Sequence, residues 1–135
     1  MLTPHDGEFA RLAGARPGPD RCAAARDLAS QTGAVVLLKG PTTVVAEPGG
    51  RVRLSLTGDQ RLATAGTGDV LSGVIGALLA RGVDAFSAAA AGAWLHGRAA
   101  ERGPAEGLIA SDVIRELPGA LDAARYDADI TGELG

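Results

Sequence analysis

Four consecutive residues, Gly66-Thr67-Gly68-Asp69, place two glycines, a hydroxyl and a carboxylate directly before an apolar helical pattern. The apolar residues after them recur at helical spacing and predict a helix that ends near Gly82: Val70, Leu71, Val74, Ile75, Leu78 and Leu79. The unpaired N–H groups and the dipole of a helix N-terminus attract anions, and glycine lets a phosphate come close because it has no Cβ. These residues alone allow two interpretations: an anion site beside a carboxylate, or a tight turn with a favourable first-turn acid.

A second group of polar residues follows a short apolar run at residues 34–38, which predicts a strand buried on both faces. The run ends in Lys39-Gly40-Pro41-Thr42-Thr43. Lys39 could be a point charge for phosphate or a solvated lysine, and Thr42 and Thr43 could donate to phosphate or only begin a hairpin. Because ligands of α/β sheets bind beyond the carboxyl ends of the strands, we expect Lys39, Thr42, Thr43 and residues 66–69 to face one crevice.

The two histidines carry weaker signals. His5 lies in a Pro-Gly loop, where it could face a ligand, and on its own it is interpreted as a surface or locally bonded histidine. His96 lies in the middle of a predicted helix beside Trp94, so we expect a packed histidine with a satisfied ring and a tryptophan in the core. Three charged residues near the end of this helix are expected to form a solvated helix end: Arg98, Glu101 and Arg102.

Start and stop signals predict the elements of the first half of the chain. Asp6 is the expected N-cap of a short first helix, and Asp20 begins a second helix that ends near Thr32. Residues 43–46 and 51–56 flank a Pro-Gly turn and predict a hairpin. Alternation in its second strand predicts one buried face, made of Val52, Leu54 and Leu56, and one solvated face, made of Arg51, Arg53 and Ser55.

Further signals predict the elements around the glycine turn and after it. A brief strand is expected at residues 62–64, before the turn. The helix after Gly82 is expected to begin at Asp84 or Ser87 and to run to Ala100. A last short helix would be capped by Ser111 and stopped by Pro118-Gly119.

Composition limits the class of protein. With 135 residues, 46% of them apolar and only 3% aromatic, the chain suits one domain with a core of Ala, Val, Leu and Ile. A net charge of −3 and the lack of an apolar stretch of membrane length argue against nucleic acid and membrane as partners. A single cysteine and no signal-peptide pattern lead us to expect a cytoplasmic protein.

The motifs of P-loop NTPases, dinucleotide-binding Rossmann domains, zinc hydrolases and serine hydrolases are absent from the sequence. A buried strand, a hairpin and helices packed around a phosphate-like loop instead predict an α/β sandwich.

Four segments together resemble a known family. Gly66-Thr67-Gly68-Asp69 before an apolar helix resembles the anion-hole and catalytic-base motif of the ribokinase-like superfamily. Three further segments are similar to the ADP/ATP-dependent NAD(P)H-hydrate dehydratase family: Leu2-Thr3-Pro4-His5-Asp6-Gly7-Glu8, Leu38-Lys39-Gly40-Pro41-Thr42-Thr43 and Leu95-His96-Gly97-Arg98-Ala99-Ala100. Asp6 stands where the family usually has proline. The resemblance implies a ribokinase-like α/β sandwich of which this chain is only the C-terminal half, with residues 1–121 as the domain portion and residues 122–135 as a weakly ordered tail.

The resemblance also implies roles for individual residues. Asp69 would act as base and contact the substrate, the amides of residues 66–68 would form an anion hole, and His5 would touch the hydrated nicotinamide nucleotide. The nucleotide-binding residues that it implies form two segments: Lys39, Gly40, Pro41, Thr42 and Thr43, and then Asp59, Gln60, Arg61, Leu62, Ala63, Thr64, Ala65, Gly66, Thr67 and Gly68. The implied cofactor is ADP, or ATP, with Mg²⁺, and the implied reaction restores NAD(P)H from its (S)-hydrate.

Two other functions stay open at this point. A sugar or hydroxymethylpyrimidine kinase of the same superfamily would use Asp69 in the same way but would release a phosphorylated product. A non-catalytic nucleotide-binding fragment would need only the phosphate site. Because half of such a domain would expose an unpaired sheet edge, we also expect a homo-oligomer or a dependence on the missing N-terminal half.

Overall fold

The computed structural model describes residues 1–134, and the side chains of residues 1–126. A small sheet lies among five α-helices and one short 3-10 helix. In chain order the elements are α1 (Asp6–Ala13), α2 (Arg21–Thr32), β1 (Val36–Leu38), β2 (Thr43–Ala46), β3 (Val52–Ser55), the 3-10 helix (Gln60–Ala63), α3 (Thr67–Ala80), α4 (Ala85–Arg102) and α5 (Ala110–Leu134). Among the described residues, no helix is both long and apolar enough to cross a membrane.

The sheet is antiparallel, with strand order β1-β2-β3. Its register pairs Leu38 with Val44 and Thr43 with Ser55, so the turn after β1 and the C-terminal end of β3 lie at the same end of the strands. On the other side of β1, Leu2 forms a parallel bridge with Val36, and the amide of Lys39 donates to the carbonyl of Pro4 at 2.9 Å. The N-terminal segment is thereby fixed beside the end of β1.

Helices cover both faces of the sheet, as expected for an α/β sandwich. One face packs Val36, Leu38 and Val44 against Phe9 of α1 and Leu28 of α2. The opposite face packs side chains of β1 and β2 against α3 and α4: Leu37, Val45, Leu71, Ile75 and Phe86. A third apolar cluster joins α3, α4 and α5, and it fixes the start of α3 against the two later helices.

The predicted burial of the second hairpin strand is wrong for three of its residues, whereas Val52 packs partly buried against the core and Arg51 and Arg53 are exposed, as expected. Leu54 and Leu56 are 52% and 77% exposed, whereas Ser55 is only 8% exposed. The reason is that α4 packs against the other face of β3, where the guanidinium of Arg51 stacks on the ring of Phe86 at 4.5 Å. Alternation shows that the two faces of a strand differ, but the helices that cover the strand decide which face is buried.

Several predicted helix boundaries are confirmed. Asp20 caps α2 with its side chain, and α2 ends at Gly33 in the left-handed conformation. Asp84 caps α4, which runs two residues beyond the predicted end at Ala100. The first helix differs from expectation because its N-cap is His5 rather than Asp6. Residues 62–64 are not a strand, since a 3-10 helix capped by Asp59 occupies residues 60–63.

The last helix is longer than predicted. It begins at Ala110, one residue before the expected cap Ser111, and it continues through Pro118. Proline inside a helix costs about 3 kcal/mol, but α5 buries Val113 and Ala120 completely in the cluster that it shares with α4. This packing outweighs the local signal. The weakly ordered tail predicted for residues 122–135 lies largely outside the described side chains and stays a prediction, as does the division at residue 121.

Candidate active site

A cleft of about 300 Å³ opens where the N-terminal segment, α1, the end of β1 and the start of α3 meet. This volume is at the lower end of the range for small-molecule pockets. Its polar side chains come from four different places in the chain, and the cleft is lined by Leu2, Thr3, Pro4, Glu8, Leu12, Lys39, Gly68, Asp69 and Ser72. The fold therefore brings together Lys39, Gly68 and Asp69, which the sequence had placed in one crevice.

The turn before α3 has no side-chain cap, and the amide of Thr67 donates to the carbonyl of Thr64 at 3.4 Å. Gly66 is the N-cap of α3 with φ +87°, a left-handed conformation that favours glycine. The hydroxyl of Thr67 holds the turn by hydrogen bonds to the carbonyls of Leu62 at 2.6 Å and Thr64 at 2.8 Å. The first-turn N–H groups of α3 thus lie in a fixed turn at the positive end of the helix dipole.

Lys39 places a positive charge next to this turn. Its Nζ lies 3.4 Å from the point that a Cβ on Gly68 would occupy. The same Nζ lies 3.7 Å from a carboxylate oxygen of Glu8. An ammonium and a helix N-terminus that face one small space attract an anion, and phosphate is the biological anion that best matches several such donors.

His5 and Glu8 form a reciprocal cap on α1. Nδ1 of His5 accepts hydrogen bonds from the amides of Gly7 at 3.0 Å and Glu8 at 3.2 Å, and the carboxylate of Glu8 accepts from the amide of His5 at 2.9 Å. That last bond, with a smaller effect of the Lys39 ammonium, holds the pKa of Glu8 below its usual range. His5 is thus locally bonded and does not line the cleft described above; its predicted contact with substrate stays a prediction.

Arg21 supports the turn after β1, and the sequence reasoning missed it. Its guanidinium donates to the carbonyl of Lys39 at 2.8 Å and pairs with the carboxylate of Asp6 at 2.9 Å. The guanidinium also fills the space beside Gly40, where a Cβ would lie 2.5 Å from it. An arginine at the start of α2 gives no sign in one sequence that it reaches a turn 18 residues later.

His96 is buried against the glycine turn, as predicted for a packed and satisfied histidine. It is 6% exposed, and its Nε2 lies 2.9 Å from the carbonyl oxygen of Thr67. Because a carbonyl only accepts hydrogen bonds, Nε2 carries the proton. Burial lowers the pKa of His96; the bond to Thr67 opposes this shift, and the nearby Lys39 ammonium adds to it. The imidazole is therefore neutral at pH 7.

The remaining residues of the two predicted nucleotide segments lie outside the cleft lining. Gly40, Pro41 and Thr42 form the turn from β1 to β2, and Thr43 begins β2. In the second segment, Asp59 caps the 3-10 helix and pairs with Arg61 at 2.8 Å. Arg61 also donates to the carbonyl of Pro104 at 2.7 Å, so its guanidinium is held by the protein.

The architecture and the glycine turn define an α/β protein of the ribokinase-like class. A solved ribokinase-like superfamily protein from Enterococcus faecalis has a TM-score of 0.75 and 25% identity to this chain, over 90% of this chain and 44% of its own. A model of the NAD(P)H-hydrate dehydratase family matches residues 1–118, and this chain belongs to that family.

Two relatives show how similar the chain is to known dehydratases and how much of their length it covers. The ADP-dependent (S)-NAD(P)H-hydrate dehydratase of Neisseria meningitidis is 50% identical over 121 residues, which are 84% of this chain and 41% of that protein. The ADP/ATP-dependent NAD(P)H-hydrate dehydratase of Bacillus subtilis, crystallised with ATP and Mg²⁺, has a TM-score of 0.84 and 35% identity, over 90% of this chain and 48% of its own. The chain thus spans less than half the length of these relatives.

Proposed function

We propose that this chain carries the phosphate-binding and proton-accepting part of an ADP-dependent NAD(P)H-hydrate dehydratase. One observation supports this most directly: the Lys39 ammonium and the Asp69 carboxylate line one cleft with the uncapped first turn of α3. Membership of the dehydratase family gives the substrate class, since the N. meningitidis relative acts on the (S)-hydrate with ADP.

In this proposal the backbone and the side chains have separate tasks. The amides of residues 66–68 and the Lys39 ammonium bind the phosphoryl group that is transferred and stabilise the charge that develops on it. Residues 40–43 and 59–65 continue from this point and bind the rest of the nucleotide, and His5 contacts the hydrated ring. Asp69 orients the substrate hydroxyl and accepts its proton.

The reaction proceeds by phosphoryl transfer and elimination. The hydroxyl oxygen of the hydrate attacks the terminal phosphorus of ADP, its proton goes to Asp69, and the bond from phosphorus to the bridging oxygen breaks to release AMP. The lone pair of the ring nitrogen then expels phosphate from the ring carbon, and loss of a proton from the adjacent carbon restores the dihydronicotinamide. The sum converts hydrate and ADP into NAD(P)H, AMP and phosphate. Positioning and charge stabilisation provide most of the catalysis of such a transfer.

Mg²⁺ is compatible with the donors present. Among the described residues there is no cluster of three or more His, Cys, Asp or Glu side chains that could hold a metal ion. Mg²⁺ in nucleotide sites is usually held by one or two carboxylates together with the substrate phosphates, and Asp69 supplies one such carboxylate. When bound, the ion would neutralise phosphate charge beside Asp69.

The remaining walls of the substrate site, in this proposal, come from a further segment of about equal length or from a second copy of the chain. The relatives are about twice as long as this chain. Size-exclusion chromatography distinguishes an assembly from a monomer.

We also propose, from the composition of the chain, that the protein is cytoplasmic.

The experiment combines nucleotide binding with hydrate repair. Calorimetry measures the affinity of the chain for ADP and ATP. The chain is then incubated with NADH hydrate and nucleotide, and the recovery of NADH is measured by the absorbance of reduced nicotinamide. Nucleotide-dependent recovery of NADH supports the proposal. Binding without recovery supports a nucleotide-binding fragment, and a phosphorylated product from a sugar or a hydroxymethylpyrimidine supports a kinase. Absence of nucleotide binding contradicts all three.

A further inference from the structure

The proposed reaction leaves unused one polar, tightly packed part of the molecule, the pair His96-Gly97 in the middle of α4. Both residues are buried, and they contact Thr57 and Thr67 of a loop. Residues 57–68, here called the loop, follow β3, include the 3-10 helix and end in the glycine turn at the start of α3. The loop contains most of the predicted nucleotide-binding residues, and α4 contacts it near both of its ends.

Gly97 contacts the beginning of the loop. A Cβ at Gly97 would lie 2.5 Å from the backbone carbonyl of Thr57 and 2.2 Å from its hydroxyl, distances that no side chain tolerates. This close approach lets the hydroxyl of Thr57 donate to the carbonyl of Trp94 at 3.0 Å. One turn further along α4, the carboxylate of Glu101 accepts from the amide of Gly58 at 2.8 Å. Glu101 is therefore part of this contact and not only of a solvated helix end, as the sequence had suggested.

His96 contacts the end of the loop. Its Nε2–H donates to the carbonyl of Thr67, the residue between the two glycines of the turn. The hydroxyl of the same threonine is bound to the loop through Leu62 and Thr64. Thr67 is thus fixed by α4 on its carbonyl and by the loop on its hydroxyl. Gly68 lines the cleft. Because the carbonyl of Thr67 and the amide of Gly68 belong to one peptide plane, a rotation of that plane would break the His96 bond and change the direction of the Gly68 amide.

We propose that His96 is a positioning residue for phosphate transfer: with Gly97 fixing the start of the loop, its Nε2–H fixes the Thr67 carbonyl and so aims the Gly68 amide into the cleft. The inference rests on the proposed function for its catalytic meaning, but the geometry of the turn can be measured without any activity. A histidine serves here because its ring reaches across the gap between two helices and is still apolar enough to be buried.

Two substitutions separate this role from simple packing. His96→Gln keeps an N–H donor at the position of Nε2, whereas His96→Asn has a donor that is too short to reach the carbonyl. The loss of one neutral hydrogen bond is worth about 0.5–1.5 kcal/mol. We expect His96→Asn to weaken ADP binding roughly three- to tenfold, and His96→Gln to stay within about twofold of the parent chain. The Tm of both variants shows whether they remain folded.

Nuclear magnetic resonance supplies the readout that needs no ligand. Nitrogen shifts of the His96 ring in the parent chain should show the neutral form with its proton on Nε2; a proton on Nδ1 alone would overturn the proposal without any variant. The amide signals of Gly66, Gly68 and Asp69 should move in His96→Asn and remain in place in His96→Gln. Unmoved signals in folded His96→Asn also overturn the inference. If the parent chain fails to bind ADP, the proposed function is contradicted, while the ring and amide signals still decide the role of His96.

Discussion

Replacement of Gly68 by alanine is expected to weaken nucleotide binding without weakening the fold. Gly68 lies in the first turn of α3 with an ordinary helical conformation, and an added Cβ would meet only the mobile end of Lys39, at 3.4 Å. Alanine is favoured over glycine in a helix by up to about 1 kcal/mol. The free energy of unfolding should therefore stay the same or rise.

The same methyl group would lie 3.4 Å from the Lys39 ammonium, in the space that we assign to the phosphate. A hydrogen bond from an amide to a charged group contributes about 1.5–3 kcal/mol. If the methyl group keeps phosphate from the Gly68 amide, affinity for ADP should fall roughly 10- to 150-fold. Calorimetry measures this loss, and thermal unfolding of the same samples measures stability.

Gly76 provides a matched control for Gly68, and Gly66 tests the left-handed conformation of the turn. Gly76 lies in the same helix with open space at its Cβ position, so Gly76→Ala should gain helix stability and bind ADP normally. Gly66 has φ +87°, and Gly66→Ala should lose about 1–2 kcal/mol of stability because an L-residue resists that conformation. Normal ADP affinity in Gly68→Ala would refute the assignment of the phosphate to this turn.

Three further outcomes follow from the same contacts. Lys39→Ala should weaken ADP binding at least tenfold, since it removes a charged donor, and unchanged affinity by calorimetry would make Lys39 a solvated lysine. Arg21→Met should cost about 1–3 kcal/mol in urea unfolding, because the carbonyl of Lys39 and the carboxylate of Asp6 both lose their partner; Asp6→Asn, which leaves the bond to Lys39 intact, should cost less. Because the pKa of His96 is lowered in the fold, the unfolded chain binds a proton first as the pH falls below about 6.5, so stability should decline there by up to about 1.4 kcal/mol per pH unit. His96→Gln should remove that decline, and an identical pH dependence in both proteins would contradict it.

Local signals in the sequence were enough for the elements that depend on neighbouring residues. The start of α2 at Asp20 and its end at Gly33 could be predicted because a cap and a left-handed glycine act within one helical turn. Contacts between distant segments decided the rest. The face of β3 that is buried depends on α4, and the continuation of α5 through Pro118 depends on packing against α4.

The candidate site divides in the same way. The meeting of the glycine turn and Lys39 could be predicted because Lys39 follows a strand, the turn precedes a helix, and ligands of α/β sheets bind beyond the carboxyl ends of the strands. The roles of Arg21 and Gly97 could not be predicted, because each depends on a contact with a segment far away in the chain. A buried His96 was expected, but its partner, the carbonyl of Thr67, was visible only in the fold.

The rate of hydrate repair in Asp69→Asn tests the central claim most directly. Asparagine keeps the shape of the side chain and removes its capacity to accept a proton, and loss of a general base commonly costs 10²- to 10⁴-fold in rate. We predict that the parent chain, supplied with any partner segment it requires, restores NADH from its hydrate only with nucleotide present. Asp69→Asn should lose at least about a hundredfold of that rate while its ADP affinity changes less than about tenfold. A near-normal rate in Asp69→Asn would contradict Asp69 as the base at the start of α3.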